Sequence, residues 1–237
     1  MADIYDTKYI EELFDEMAES YEKVNYVTSF GFSKRWRTQF VRNARIETRA
    51  VVCDLMCGMG ECWPAIFRTM ADDARLIAVD LSNGMLQGAI RRKAKYQNRS
   101  IAISKQNALA SDLEKEFADT VVSAFGIKTF SDEQKTILAA EMHRMLKPGG
   151  TFSLIEVSVP ASRLLKPLYM FYLKTIIPLI GSVFLGNPEN YKMLGVYTEK
   201  FGDCRRMKEI LEAQGFTVEY HDYFFGCATG LSGYKNV

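Results

Sequence analysis

Residues 51–61 read Val-Val-Cys-Asp-Leu-Met-Cys-Gly-Met-Gly-Glu, and this stretch decides the fold. An apolar run typical of a strand leads into a tight turn with two glycines, Gly58 and Gly60, and then into a predicted helix. The next apolar run, at residues 76–79, ends at Asp80. The pattern predicts two buried strands joined by a helix, with an acid at the carboxyl end of the second strand. An acid placed there, beside a glycine turn, suits a ligand that carries a ribose.

Outward from this stretch, short apolar strands alternate with helices. The predicted strands are Ala50–Leu55, Arg75–Val79, Ile101–Ser104, Asp119–Ala124, Thr151–Val157, Phe216–Tyr220 and a stretch near Gly226–Gly233. The predicted helices among them are Glu61–Met70, Asn83–Tyr96, Asp132–Leu146 with Ser131 as its N-cap, and Asp203–Gln214. The Lys-Pro-Gly-Gly run at 147–150 predicts a turn. This order predicts an α/β fold with a doubly wound, mainly parallel sheet of seven strands.

The helical segments outside this alternation indicate how the single domain is organised. Apolar residues recur at helical spacing near the start of the chain, so residues 1–45 are predicted to form an N-terminal helical cap. Residues 46–157 form the ligand-binding core, 160–195 a helical cover, and 203–237 the last helix and strands. In such a sheet, ligands bind beyond the carboxyl ends of the strands, where the strand order reverses.

Composition excludes several classes of partner. The chain has 237 residues and a formal net charge of +1, so no overall field draws it to nucleic acid. The basic run at 91–95 is interpreted as the end of a helix, where cations offset the helix dipole. Five cysteines without C-x-x-C spacing and only two histidines argue against a metal site. Reduced thiols and an acidic, polar N-terminus favour a cytoplasmic protein.

The segment 164–185 is apolar and about long enough to span a membrane. Lys166, Lys174, Pro167 and Pro178 interrupt it, and two lysines in the hydrocarbon core would be costly. We therefore predict a kinked amphipathic cover. Three roles of this cover stay open: binding of an apolar substrate, peripheral contact with a membrane surface, and ordinary core packing.

The glycine turn discriminates between nucleoside cofactors. A dinucleotide fingerprint has a third glycine where this chain has Trp63, and no lysine follows the glycines as a P-loop requires. S-adenosylmethionine (SAM) has a ribose, an adenine and an amino-acid tail but no phosphate. Asp54 is predicted to orient the loop or the tail's ammonium, Asp80 to accept from the ribose hydroxyls, and Asn107 to bind the adenine amine. The alternative is an unliganded turn with Asp80 as a helix cap.

Several further stretches resemble the ubiquinone/menaquinone biosynthesis C-methyltransferase family, a class I SAM-dependent group. The similar segments are 14–25, Ser29-Phe30-Gly31 with Trp36-Arg37, 54–61, 80–86, 124–128, 145–150, 155–160 and 191–194. The resemblance implies a Rossmann-like fold, SAM as cofactor, and C-methylation of a hydrophobic hydroxylated ring such as a quinol precursor. The cofactor-binding residues it implies are Asp54, Cys57, Gly58, Gly60, Asp80, Leu81, Met85, Asn107, Ala108 and Ala124.

The chain departs from the family pattern mainly on the expected substrate side. The departures are Met59 between the glycines, Asn107 for an acid, Lys128-Thr129 for arginine and asparagine, Met193 for an aromatic, and Tyr197 for a small residue. Two alternatives therefore stay open. One is a natural-product methyltransferase with another carbon, oxygen or nitrogen acceptor, and the other is a SAM-binding protein that transfers no methyl group.

Methyl transfer to a ring carbon needs alignment and a stabilised phenolate. We predict Lys128 as the cation that holds this phenolate, or else a solvated loop lysine. We predict Glu156 as a base or as a group that orients another side chain, or else a buried partner of a backbone amide. The residues predicted to line the acceptor pocket are Tyr21, Phe125, Tyr172 and Tyr191, each of which also suits plain packing. The sequence leaves a homodimer open.

Overall fold

The predicted alternation of strands and helices forms one twisted sheet in the computed structural model, which describes residues 3–183 and 188–237. The seven strands of the described residues lie in the order β3-β2-β1-β4-β5-β7-β6, and β7 runs antiparallel to both of its neighbours, β5 and β6. The strands are β1 Val51–Leu55, β2 Arg75–Asp80, β3 Ser100–Lys105, β4 Ala118–Ala124, β5 Leu146–Val157, β6 Phe216–Tyr223 and β7 Ala228–Lys235. The predicted fold class is confirmed.

Helices cover both faces of the sheet and its carboxyl edge. They are α1 Thr7–Thr28, α2 Phe32–Asn43, α3 Trp63–Ile66, α4 Asn83–Lys93, α5 Asp132–Met145, α6 Leu165–Phe171, α7 Ile177–Val183, α8 Pro188–Phe201 and α9 Arg205–Ala213. Residues 184–187 of the predicted 160–195 cover, and residues 1–2 of the predicted cap, lie outside the described residues. The predicted N-cap of α5 is confirmed, since Ser131 and Gln134 form a capping box.

Two hydrophobic clusters sandwich the sheet. One buries residues of α2, α3 and α4, such as Phe40, Trp63 and Leu86. The other buries residues of α5 and α9, such as Leu138 and Leu211. The strand order reverses between β1 and β4. The carboxyl ends of these two strands therefore diverge into a crevice, where a doubly wound fold binds its ligand.

Two predictions of local structure are wrong. The helix expected over Glu61–Met70 is limited to α3, because the chain beyond it tightens into turns in which the Arg68 and Thr69 N–H groups donate to carbonyls three residues earlier. The Arg99 guanidinium then binds the Phe67 and Met70 carbonyls. The turn expected at 147–150 is a bulge inside β5: Leu146 pairs with Ala118 and Thr151 with Thr120. Gly149 supplies the positive φ, +74°, that the bulge needs.

A third cluster lies above the carboxyl edge and joins α1 to α6–α8, through residues such as Leu13, Leu173 and Tyr197. One π-helical turn, Tyr172–Ile176, connects α6 to α7. Such turns inside helices are frequent at functional sites. Among the described residues, no helix has both the length and the apolar character that crossing a membrane requires.

Candidate active site: a polar cleft and an apolar cavity with shared walls

The glycine loop after β1 is shaped by a tryptophan. Trp63 is fully buried, and its indole Nε1 donates to Asp54 Oδ2 at 3.0 Å. A Cβ on Gly60 would lie 2.6 Å from the Trp63 ring, and Gly60 has φ +78°. The indole thus fills the space over this turn and holds Asp54 in place. It occupies the position where a dinucleotide fold keeps its third glycine.

Asp80 ties the glycine loop to β2. Its Oδ2 accepts from the Gly58 backbone N–H at 2.8 Å, and its Oδ1 accepts from the Ser82 N–H at 2.9 Å. A carboxylate oxygen accepts more than one bond, so both oxygens remain able to accept from a diol. Asp80 therefore fits the role predicted for it toward a ribose.

Beyond these strand ends lies a cleft of about 940 Å³. The predicted cofactor residues that line it are Asp54, Cys57, Gly58, Asp80, Leu81, Met85, Asn107, Ala108 and Ala124. Gly60 lies against Trp63 instead. The Asn107 Oδ1 accepts from the Leu109 N–H at 2.9 Å, so the amide oxygen predicted to face the adenine already orders its own loop.

Helix α1 closes the cleft from above. Asp15 Oδ1 accepts from Ser82 Oγ at 2.5 Å and from the Gly84 N–H at 2.8 Å, at the beginning of α4. A Cβ on Gly84 would lie 2.7 Å from the Ala18 Cβ, so only glycine permits this approach. At the other end, the Gln134 side-chain amide donates to the Tyr5 carbonyl at 2.9 Å. The N-terminal helix is thus a wall of the cleft.

Carboxyl groups dominate the electrostatics of the cleft. Burial raises the pKa of Asp54 to about 8, although the bond from Trp63 opposes this, and burial raises the pKa of Asp80 to about 6. Glu61 lines the same cleft. A cationic ligand placed here would relieve the desolvation of these carboxylates. SAM carries a sulfonium and an ammonium, so this set of carboxylates fits SAM. Asp80 is the residue predicted to bind the ribose, and the 54–61 loop is the segment predicted to contact the amino-acid tail.

We expect SAM affinity to increase as the pH rises from 5 to about 8, below which the ammonium of SAM keeps its charge. Protonated Asp80 and Asp54 are neutral, and they ionise as the pH passes about 6 and about 8. A bound cation stabilises the ionised forms, so binding releases protons and tightens with pH. Titration calorimetry at several pH values measures this.

Asp54→Asn is the matched control for that pH dependence, because an amide oxygen can still accept from Trp63. The α-amino group of SAM titrates near pH 8 as well, but it does so with both proteins. The difference between the two profiles above pH 7 therefore belongs to Asp54. Identical profiles would contradict the assignment.

A second, larger cavity adjoins the cleft and measures about 1590 Å³ when the space open to solvent is included. We call it the acceptor cavity. Its walls are mostly apolar and come from α1, α2 and α6–α8, including Leu13, Trp36, Leu173 and Leu194. The predicted acceptor residues Tyr21, Phe125, Tyr172 and Tyr191 all line it. Two of their hydroxyls form hydrogen bonds within the protein: Tyr172 donates to the Thr28 carbonyl, and the Tyr191 hydroxyl bonds Ser20 Oγ.

Five residues line both spaces and form the junction between them: Phe14, Tyr21, Arg37, Phe125 and Thr129. Arg37 is the cation of this set. Its guanidinium lies 4.9 Å from the centre of the Phe125 ring and 3.8 Å from Glu61 Oε1. The neighbouring Glu61 carboxylate raises the pKa of Arg37 despite burial. Burial raises the pKa of Tyr21, so that its hydroxyl stays protonated.

Lys128 and Glu156 form a buried ion pair beside the junction. Lys128 Nζ lies 2.8 Å from Glu156 Oε1 and donates to the Phe125 carbonyl at 2.7 Å. Glu156 also accepts from the backbone N–H groups of Lys128 and Val157. Lys128 lines the acceptor cavity. The contacts of Glu156 match the alternative role, a buried partner of backbone amides, and the catalytic roles of both residues stay predictions.

Sequence reasoning did not select several residues of the site. Arg37 lies in the Trp36-Arg37 segment that the resemblance contained, but no pattern along the chain indicates which side chain of α2 reaches the cleft. The α1 residues that line the cleft are Thr7, Ile10, Glu11 and Phe14. The helical periodicity of this segment predicted that one face of α1 is buried, but it did not show that this face lies over the cleft.

The family model described as the ubiE/COQ5 methyltransferase family matches residues 1–235. A demethylmenaquinone methyltransferase of Lactiplantibacillus plantarum is 27% identical over 228 residues, which cover 95% of each chain. One from Lactococcus lactis is 29% identical and covers 90% of this chain and 84% of its own.

Solved structures share the fold. A SAM-dependent methyltransferase of Thermotoga maritima has a TM-score of 0.64 at 17% identity and covers 95% of this chain and 99% of its own. One from Aquifex aeolicus has a TM-score of 0.58 at 17% identity, covering 84% and 88%. The family and the cofactor predicted from the motifs are confirmed. The chain belongs to the ubiE/COQ5 methyltransferase family and is a SAM-dependent methyltransferase.

Proposed function

We propose that this enzyme transfers a methyl group to a ring carbon of a hydrophobic, hydroxylated acceptor, a reduced quinone precursor. The observation that carries the proposal is the junction, where a carboxylate-rich cofactor cleft meets a large apolar cavity beside one guanidinium, that of Arg37. The name of the relatives, demethylmenaquinone methyltransferase, supports the same acceptor class.

The size and polarity of the second cavity favour an acceptor with an apolar tail. Pockets for drug-sized ligands enclose roughly 300–1000 Å³. On that scale this cavity measures about 440 Å³, which lies within the range, and its walls from α6–α8 are mostly hydrophobic. A ring at the junction with a tail between α1 and α6 would use this volume.

Bound SAM would supply a methyl group carried on a sulfonium, and the sulfur would leave as a neutral thioether. The protein must therefore align the ring and activate it. A ring carbon becomes nucleophilic when a neighbouring hydroxyl loses its proton. Arg37 would stabilise the resulting phenolate, because an adjacent cation lowers the pKa of a phenol. After the carbon–carbon bond forms, the ring carbon releases its proton and the aromatic phenolate returns. The phenolate oxygen then takes up a proton to give the hydroquinone, so that one proton is released to solvent for each methyl group transferred.

The Lys128–Glu156 pair would act on this reaction through Phe125. Phe125 lies at the end of β4 with φ +66°, and Lys128 Nζ binds its carbonyl. A non-glycine residue in this conformation needs support from its surroundings. We infer that the pair holds the Phe125 ring under Arg37, so that both face the acceptor.

Product analysis tests the proposal directly. The enzyme is incubated with methyl-labelled SAM and a panel of quinols, matched O-methylation substrates and amines. We expect label on a ring carbon of a quinol that carries a free position beside a hydroxyl, as identified by NMR of the product. Label on oxygen or nitrogen would replace this proposal with the natural-product alternative. SAM binding without label in any acceptor would favour the protein that transfers no methyl group.

A further inference from the structure

Three segments surround the mouth of the acceptor cavity and are linked in a ring. The α1–α2 turn contacts the α6–π segment through the stacked rings of Phe30 and Tyr172, whose centres are 6.0 Å apart. The Tyr169 hydroxyl donates to the Cys227 carbonyl at 3.1 Å and so joins α6 to the β6–β7 turn. Phe224 closes the ring against Phe32 of α2, with centres 4.4 Å apart.

Large apolar side chains point outward from all three segments. Leu164, Leu168 and Phe171 follow one another at i, i+4 and i+7 and are 84%, 69% and 59% exposed. They form one unpartnered face of a helix. Phe30 and Phe225 are 78% and 79% exposed, and Phe224 is about half exposed. We call these six residues the apolar rim. Its members Phe30, Leu168 and Phe224 also line the acceptor cavity, so the rim continues the inner wall onto the surface.

The backbone supports this outward placement at a cost. Phe30, Phe224 and Phe225 have φ values of +49°, +45° and +56°. Bulky residues rarely adopt this region, and strained backbone is concentrated at functional sites. All three lie in tight turns next to a glycine, and these turns hold the side chains at the surface.

The charges beside the rim identify the chemistry of that partner. The segments 29–35, 161–171 and 222–227 contain four cations, Lys34, Arg35, Arg163 and Lys166, and one acid, Asp222. All four cations are exposed, and among the described residues they form no ion pair. Apolar side chains surrounded by free cations are typical of proteins that rest on anionic lipid.

We propose that the apolar rim docks on the surface of an anionic phospholipid bilayer, so that the acceptor cavity opens toward the membrane interior. The rim side chains enter the boundary between headgroups and acyl chains, and the four cations bind lipid phosphates. A hydrophobic acceptor then reaches the junction without crossing water. The docking concerns a surface and does not require that methyl transfer occurs.

Vesicle binding tests the proposal with substitutions that spare the site. Leu164, Phe171 and Phe225 belong to the rim but do not line the cavity, so their combined replacement by serine leaves the acceptor walls intact. We expect the wild-type enzyme to co-sediment with vesicles of phosphatidylglycerol and phosphatidylcholine. The triple variant should bind roughly tenfold or more weakly, since it loses most of the inserted apolar surface. High salt should weaken wild-type binding.

Ile90→Ser and Ile137→Ser are matched controls, because both isoleucines are exposed on helices of the sheet faces. They should bind vesicles as the wild type does. Phe225→Trp should be quenched by brominated phospholipids, and Ile137→Trp should not be. The native Trp36 and Trp63 are buried and measure the background.

Other outcomes would overturn the docking. If the wild-type enzyme does not bind anionic vesicles, or if the triple variant binds them equally well, the docking proposal is contradicted. A wild-type dimer that becomes monomeric in the triple variant would assign the rim to a second copy of the chain. Methylation of a water-soluble quinol in the absence of vesicle binding would refute the docking alone. Vesicle binding without methyl transfer to any quinol would refute the proposed function alone.

Discussion

Asp80→Ala should weaken SAM binding by about 2–4 kcal/mol, or roughly 30- to 1000-fold. The change removes the carboxylate that is predicted to accept from the ribose hydroxyls. It also releases the Gly58 and Ser82 N–H groups, which the carboxylate holds at 2.8 and 2.9 Å. The glycine loop then loses its tie to β2, so the cofactor site loses both a ligand and a support. Titration calorimetry measures the affinity, and circular dichroism verifies the fold.

Two variants make that result specific. Asp80→Asn keeps one accepting oxygen but turns an amide group toward a backbone donor, so its affinity should lie between those of the wild type and Asp80→Ala. Asp73→Ala removes an exposed acid near the beginning of β2 and should bind SAM normally. If Asp80→Ala binds SAM like the wild type, the carboxylate does not hold the ribose and the cofactor site has been misplaced.

Arg37→Met should lower kcat by about 10²–10³-fold, the loss seen when one donor to a developing oxyanion is removed. Arg37 is the cation among the residues that line both the cleft and the cavity. Without it the acceptor hydroxyl ionises less readily, so the rising limb of the pH–rate profile should move to higher pH. SAM affinity should change little. Arg37→Lys should restore part of the rate, because lysine keeps the charge but not the flat contact with Phe125.

Arg42→Met, on the exposed side of the same helix, is the control for Arg37→Met and should leave the kinetics unchanged.

Variants of Lys128 test whether this lysine, rather than Arg37, holds the phenolate. The first is Lys128→Met. It leaves Glu156 buried without its partner and should destabilise the fold by about 3–5 kcal/mol. The double variant Lys128→Met/Glu156→Leu removes both charges and should regain stability. If that variant is folded but inactive while Arg37→Met is active, the phenolate is held by Lys128, as the sequence predicted.

Short-range patterns were sufficient for the sheet and for one half of the site. The apolar run, the two glycines and Asp80 lie within 30 residues, and β1, α3 and β2 bring them to one edge of the sheet. One local failure had a long-range cause: the pairing with Ala118 extends β5 across the Lys-Pro-Gly-Gly run. Ala118 is not adjacent in sequence to the segment that it changes.

By itself, the sequence determined the order of strands and helices, the glycine turn and the acid at the end of β2, because hydrophobic periodicity and turn residues act over a few positions. The tertiary structure alone decided which charges meet. It placed Arg37 of α2 over Phe125 of the β4 end, enclosed Lys128 with Glu156, and left the α6 face without a cover. These contacts join segments far apart in the chain, and their strength depends on distance and burial, which no local pattern records.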